Sequence, residues 1–175
     1  HGGANIRVHK MFQHLKQKIS HWDDEEEIYH YLCRIVKKEA YDGTGLIYGI
    51  GHAVYTLSDP RAVLLKQMAR KLAEEKGRLE EFEFIERIER LAIQAVYAVK
   101  GEGKKLCANV DFYSGFVYDL IGLPIEIYTP LFAMARIVGW CAHRNEELCF
   151  NGRRIIRPAY RCVADPRPYV PVKER

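Results

Sequence analysis

Three short segments and one arginine hold the residue types that do chemistry in this chain. The first is HGGAN, residues 1–5, where His1 stands beside two glycines just ahead of a helix. Backbone N–H groups and the positive end of a helix dipole favour a neutral imidazole there, one that donates a hydrogen bond without carrying charge. The same segment also reads as a glycine-rich cap with an incidental histidine. The second is GIGHAV, where Gly49 and Gly51 flank Ile50 just before His52. Glycine has no side chain to obstruct, so such a backbone either approaches a ligand closely or simply adopts the positive φ of a loop. No strand pattern precedes it, so it is not a dinucleotide fingerprint. The third, NVDFYSG at 109–115, places Asp111 at or near a helix start. A carboxylate there is ordinarily an N-cap, whereas a catalytic base has to face a cleft. Arg136 interrupts an otherwise apolar helix, and a buried guanidinium requires an anionic partner because an unpaired buried charge is very costly. No acid lies three or four positions away on that helix, which favours a ligand carboxylate.

Helices must position these groups. Ala4, Val8, Met11, Phe12, Leu15 and Ile19 follow the spacing of one buried helical stripe. Acidic residues at 23–27 open a second helix, with Ile28, Tyr31, Leu32, Ile35 and Val36 as its apolar face and a stop expected near Asp42-Gly43. Asp59 as N-cap and Pro60 at the first helical position announce a third, carrying Leu64, Leu65, Met68 and Leu72 and ending at Gly77. A fourth runs from about Leu79 to Val99 and a short fifth from about Asn109 to Leu120, broken by Gly122-Leu123-Pro124. Tyr128 to Leu148 is apolar nearly all round, the pattern of a helix buried on several sides. The tail has an Asn-Gly turn signal and three prolines after Ala164, and reads as extended or irregular, with room for a short hairpin. The class is all-α, with a domain boundary near residue 122.

At 175 residues the chain is long enough for one domain, or for one plus part of another. No apolar run approaches the roughly 20 residues of a membrane span. The net charge is +4 and the basic excess collects near the C-terminus without a recognised nucleic-acid motif, so neither a membrane nor a nucleic acid is expected as partner. Five cysteines with no C-x-x-C pair argue against a disulfide framework and a zinc site, and fit a reducing, cytoplasmic compartment. The chain begins at His1 without a signal-peptide pattern, and reads as a fragment or a processed form.

Taken in order, HGGAN (1–5), GIGHAVYTLSDPRA (49–62), NVDFYSG (109–115), PLFAMARIVGW (130–140), RIIRP (154–158) and YVPVKER (169–175) resemble the motifs of the citrate synthase family. The resemblance covers the whole chain but less than half of a family member, its C-terminal part. It implies a remnant of the large domain at 1–7, a small CoA-binding helical domain at 8–122, and a C-terminal helix and extended tail of the large domain at 123–175. It also implies a reaction, condensation of acetyl-CoA with oxaloacetate and hydrolysis of citryl-CoA to citrate and CoA. Asp111 matches the base that deprotonates the acetyl methyl group, His1 the donor to the thioester oxygen, and His52 the group that polarises the oxaloacetate carbonyl. That division suits the chemistry, since a lone carboxylate cannot remove a thioester α-proton unless the developing oxyanion is stabilised at once.

Arg61 and Arg136 match carboxylate ligands, and Arg157 one that reaches the partner's site across a homodimer. Leu46, Ile47, Tyr48, Gly49, Ile50, Gly51, Ala53, Val54, Lys104 and Asn109 fall where CoA is held in the family. Thr56 departs from the basic residue many members carry there. No cofactor or metal is implied, acetyl-CoA being a substrate. The family's first oxaloacetate histidine and most of its large domain have no counterpart in the chain, so the chain alone is expected to be inactive. The missing helices would leave the 128–148 helix exposed, favouring a dimer, a larger assembly or instability. Two other readings are a 2-methylcitrate synthase using propionyl-CoA and a non-catalytic CoA-binding or assembly module.

Overall fold

The computed structural model describes residues 2–103, 105–149 and 165–174. The described residues are helical, with no strand longer than one isolated antiparallel bridge between Ile50 and Ala108. The helices are α1 (Ala4–Lys18), α2 (Glu25–Val36), α3 (Pro60–Glu75), α4 (Leu79–Lys100), α5 (Val110–Leu120) and α6 (Tyr128–Cys149), with 3₁₀ turns at Ile125–Ile127 and Val172–Glu174. The fold is all-α, as its periodicity requires. The chain divides into two compact units, one ending at Ile137 and the other beginning at Val138.

In the first unit α1 packs on α5, α2 on α4, and α3 on both α4 and α5. The α1 stripe is the expected one, since Val8, Met11, Phe12 and Leu15 are all buried. Phe12 meets Phe112 of α5 edge-on at 5.1 Å, and Trp22 stacks on Phe84 of α4 at 5.0 Å. These aromatic contacts contribute beyond the area they bury.

Two expectations fail for identifiable reasons. Helix α2 stops at Val36, not near Gly43. Lys38 adopts φ 68°, Glu39 N–H donates to the Arg34 carbonyl at 2.9 Å and Lys38 N–H donates to that of Ile35 at 2.9 Å. That is the Schellman pattern with lysine at the left-handed position usually taken by glycine, so no glycine marks the stop. The same pattern closes α3 at Gly77 and α5 at Gly122, where the glycines do mark it. In α3 the core face is Ala62, Ala69 and Ala73, while Leu64 and Met68 point outward. Packing against both α4 and α5 brings the backbones close, and alanine fits that approach where leucine does not.

Helix α6 does not have the burial its composition suggests. Tyr128 is its one buried residue among those described, and Met134, Ile137, Val138 and Trp140 are exposed. The expected tail hairpin lies outside the described residues. None of the described helices is long and apolar enough to cross a membrane.

Candidate active site

The glycine segment and the start of α5 are built as one piece. Gly51 N–H donates to the Cys107 carbonyl at 2.7 Å and Asn109 N–H donates to the Gly49 carbonyl at 2.9 Å, on either side of the Ile50–Ala108 bridge. Asn109 is the N-cap of α5, its side-chain oxygen accepting from Asp111 N–H at 3.0 Å while its amide Nδ2 donates to the Gly51 carbonyl at 2.9 Å. One side chain thus starts the helix that bears Asp111 and ties down the loop that bears His52.

The two glycines differ in what they allow. A Cβ on Gly49 (φ 86°) would lie 2.8 Å from Phe112 Cδ2 and 3.0 Å from Val8 Cγ2, so its close approach is to the chain's own core. A Cβ on Gly51 (φ 100°) would meet only Leu106 Cδ2, at 3.8 Å, which leaves that stretch of backbone open on one side. Of the other residues matched to CoA, Ile47 belongs to the core, Leu46 and Val54 are exposed, and Tyr48 donates its hydroxyl to Asp42 at 2.6 Å.

His52 follows directly. Its Nδ1 accepts from the backbone N–H groups of Val54 and Tyr55, both at 3.0 Å. A nitrogen that accepts has no proton, so in the neutral ring the hydrogen sits on Nε2, making that atom a donor. Nε2 lies 3.4 Å from Arg61 Nη2 and 3.9 Å from Asp59 Oδ2.

Arg61, in the first turn of α3, is held by Asp59. Asp59 Oδ1 accepts from Arg61 Nε at 3.0 Å and Oδ2 accepts from Nη2 at 2.8 Å, while Oδ1 also caps the helix through Arg61 N–H at 3.0 Å. These hydrogen bonds outweigh the cost of burial and hold the Asp59 carboxyl below its ordinary range. The capping role of Asp59 is legible in the sequence, whereas its grip on Arg61 is not. The available signal is an acid two residues before an arginine, across a proline.

Asp111 is the second residue of α5 and is not its cap. Its carboxyl is buried, 3% exposed, and burial pushes its pKa up, against the opposing pull of Arg136 and Arg61; Asp59 adds to the rise. A carboxylate so placed is a stronger base than one in water. Arg136 is half-buried and lies over the Phe132 ring at 5.5 Å. The acid whose charge it influences is Asp111, on another helix. Asp111, Arg61 and Arg136 therefore share one electrostatic neighbourhood, with His52 beside Arg61. His1, Lys104 and Arg157 lie outside the described residues.

Sequence reasoning also missed the support behind this group. Tyr113 donates its hydroxyl to Glu89 at 2.6 Å, and Lys66 Nζ bridges Glu89 at 2.8 Å and Glu86 at 2.9 Å, linking α5, α4 and α3. A 310 Å³ cleft opens beside that network, lined by Ala62, Val63, Lys66, Glu89 and Cys107 among others, and does not include Asp111 or His52. Among the described residues no three His, Cys, Asp or Glu side chains are grouped to hold a metal ion.

The family model for the citrate synthase C-terminal domain matches residues 1–159. The chain is 36% identical to a citrate synthase of Corynebacterium glutamicum and 34% identical to a 2-methylcitrate synthase of Shewanella oneidensis, each alignment covering all of this chain. It covers 38% and 41% of those two proteins, so it spans about two-fifths of the length of such relatives. Among solved structures it is similar to the citrate synthase of Thermoplasma acidophilum in ternary complex with carboxymethyl coenzyme A and oxaloacetate. That likeness has a TM-score of 0.66 at 33% identity, covering all of this chain and 42% of the other. A citrate synthase of Thermotoga maritima gives a TM-score of 0.65 at 30% identity, covering all of this chain and 43% of that one. With the family model matched over most of its length, and with relatives aligned along the whole of it, the chain belongs to the citrate synthase family.

Proposed function

We propose that this chain supplies the C-terminal share of a citrate synthase, and that Asp111, His52 and Arg61 act on acetyl-CoA and oxaloacetate. The observation that carries this reading is the joining of the His52 loop to the start of α5 through Asn109, with Arg61 3.4 Å from His52 Nε2. Asp111 removes a proton from the acetyl methyl group, its basicity raised by burial. His1, ahead of α1, donates to the thioester oxygen as negative charge develops there. The carbanion carbon bonds to the oxaloacetate carbonyl carbon while the Nε2–H of His52 stabilises the oxygen that takes the charge. Water then cleaves the citryl thioester, releasing citrate and CoA.

Arg61 and Arg136, and Arg157 from a second protomer, hold the substrate carboxylates through paired hydrogen bonds. The open backbone at Gly51, whose carbonyl accepts from the Asn109 amide, is the side on which CoA lies, with Lys104 as a phosphate contact. The exposed apolar side chains of α6 support assembly into a dimer or larger species, and light scattering that finds a stable monomer at high concentration contradicts that part. The 2-methylcitrate synthase relative supports a second reading in which propionyl-CoA is the thioester, decided by relative rates with the two thioesters.

Calorimetry with CoA and with oxaloacetate, together with a turnover assay, tests the proposal. Binding of both ligands without turnover by the isolated chain is expected, because it corresponds to about two-fifths of its relatives. Binding of CoA alone, with no turnover even in the full-length polypeptide, supports a non-catalytic module instead.

A further inference from the structure

We propose that Gly115 is a positioning residue, the close crossing that sets the distance between the start of α1, which follows His1, and the helix that bears Asp111. The proposal rests on the functional reading above, in which His1 and Asp111 act on one thioester. Gly115 closes the NVDFYSG segment, and that reading gives it no task. It is buried in the interior of α5. Glycine is a poor helix former, so its place there needs a reason in packing. A Cβ at Gly115 would lie 3.2 Å from the Asn5 carbonyl oxygen and 3.3 Å from His9 Cβ, with Tyr128 Cε2 of α6 at 3.6 Å. Neither of the two closest atoms is the far end of a flexible side chain. Both belong to the frame of α1, one turn apart, so a methyl group at 115 is admitted only by moving that helix as a body. Tyr128 also meets the His9 ring edge-on at 5.5 Å, so the start of α6 backs the same crossing.

The crossing lies between the two ends that carry the chemistry. Helix α1 begins at Ala4, three residues after His1, and Asn5 is in its first turn. The Asn5 side chain is fully buried, with Oδ1 accepting from Ile6 N–H at 2.9 Å and Nδ2 without a hydrogen-bond partner among the described residues. An amide buried with a donor unspent is held against its own desolvation cost. Fit against α5, more than polar bonding, therefore fixes the start of α1. On α5, Asp111 is one turn before Gly115, about 6 Å along the axis and on the same face. Spacing at the crossing is thus carried to the base at one end and to the residue ahead of α1 at the other. Rates are steep in such spacing, a misplacement of about 1 Å costing roughly a hundredfold.

The test is Gly115→Ala in the full-length polypeptide that carries these residues, assayed by release of CoA thiol from acetyl-CoA and from its trideuterated methyl form. The expected result is kcat at least tenfold lower with the oxaloacetate KM within twofold of the parent. The deuterium isotope effect on kcat is expected to be at or above the parent's and clearly above one, because proton abstraction is the step that slows. Gly122→Ala serves as the control. It too forces a side chain into positive φ, 76°, but a Cβ there meets nothing within 4 Å, so it loses stability without touching the crossing and keeps the parent kcat. A kcat within twofold of the parent in Gly115→Ala overturns the proposal and leaves the functional reading intact. So does a loss shared equally with Gly122→Ala, or a slowed reaction with no isotope effect. No oxaloacetate-dependent release by the full-length parent overturns the functional reading and the proposal with it. Should Gly115→Ala fail to fold, Asn5→Ala gives the answer from the α1 side of the crossing. The same fall in kcat at unchanged KM is expected there, and the parent kcat contradicts the proposal.

Discussion

Asn109 Nδ2 donates to the carbonyl of Gly51 at 2.9 Å, and through that bond the loop before His52 is pinned to the residue that caps the helix of Asp111. Two groups that are distant in sequence are thereby held in a fixed relation by one amide side chain. Replacing Asn109 by Ala removes the cap bond to Asp111 N–H as well as the bond to Gly51. Cap losses of this kind cost about 1–2 kcal/mol, and urea unfolding of the variant is expected to show a loss in that range. A change under a few tenths of a kcal/mol contradicts the linkage.

Gly49→Ala is expected to be more damaging than Gly51→Ala. Both positions have positive φ, but only at Gly49 does the new methyl group run into Phe112 and Val8. Strain from the backbone plus overpacking amounts to roughly 2–4 kcal/mol. Thermal midpoints of the two variants should differ accordingly, and equal midpoints would show that the core yields at Phe112.

Asp111→Asn is expected to stabilise the fold while removing the proposed base. The folded pKa of Asp111 is raised by burial, so the folded state holds its proton more tightly than the unfolded state does. Its destabilising effect is therefore absent at low pH and grows as pH rises from the ordinary carboxylate value through the folded one. Relieving such a strained functional group gains about 1 kcal/mol. The gain should be present at pH 7 and vanish near pH 3, as read by chemical unfolding at the two pH values. A gain independent of pH refutes the assignment.

Asp59 should act in the opposite sense. Its folded pKa is lowered, chiefly by the hydrogen bonds from Arg61, so its contribution is complete above the unfolded value and is lost as pH falls through the folded one. The acid limb of the stability curve is expected to flatten in Asp59→Asn relative to the parent. An unchanged acid limb means that the pair contributes nothing to folding.

Much of this was legible in the residues themselves. Asp59-Pro60, Gly77 and Gly122 state where helices begin and end, and the α1 stripe states which face is buried. Lys38 hides a helix stop because its left-handed conformation is imposed by the hydrogen bonds of the Schellman turn, not by its own type. The outward Leu64 and Met68 were illegible because periodicity locates an apolar helix but cannot say that the alanine side packs closest. In the candidate site, residue types singled out His52 and Asp111, and the family resemblance Arg61, but not the contacts that position them. The cap belongs to Asn109 and not Asp111, and the first carboxylate on Arg61 belongs to Asp59, because both depend on how chain segments meet in space.

The central claim is that these residues perform the condensation of a thioester with oxaloacetate, and release of free CoA thiol from acetyl-CoA measures it most directly. Oxaloacetate-dependent release is expected from the full-length polypeptide that carries these residues, at least a hundredfold reduced by Asp111→Asn, with no steady release from the isolated 175-residue chain. Release by Asp111→Asn at the parent rate, or release by the isolated chain, contradicts the account.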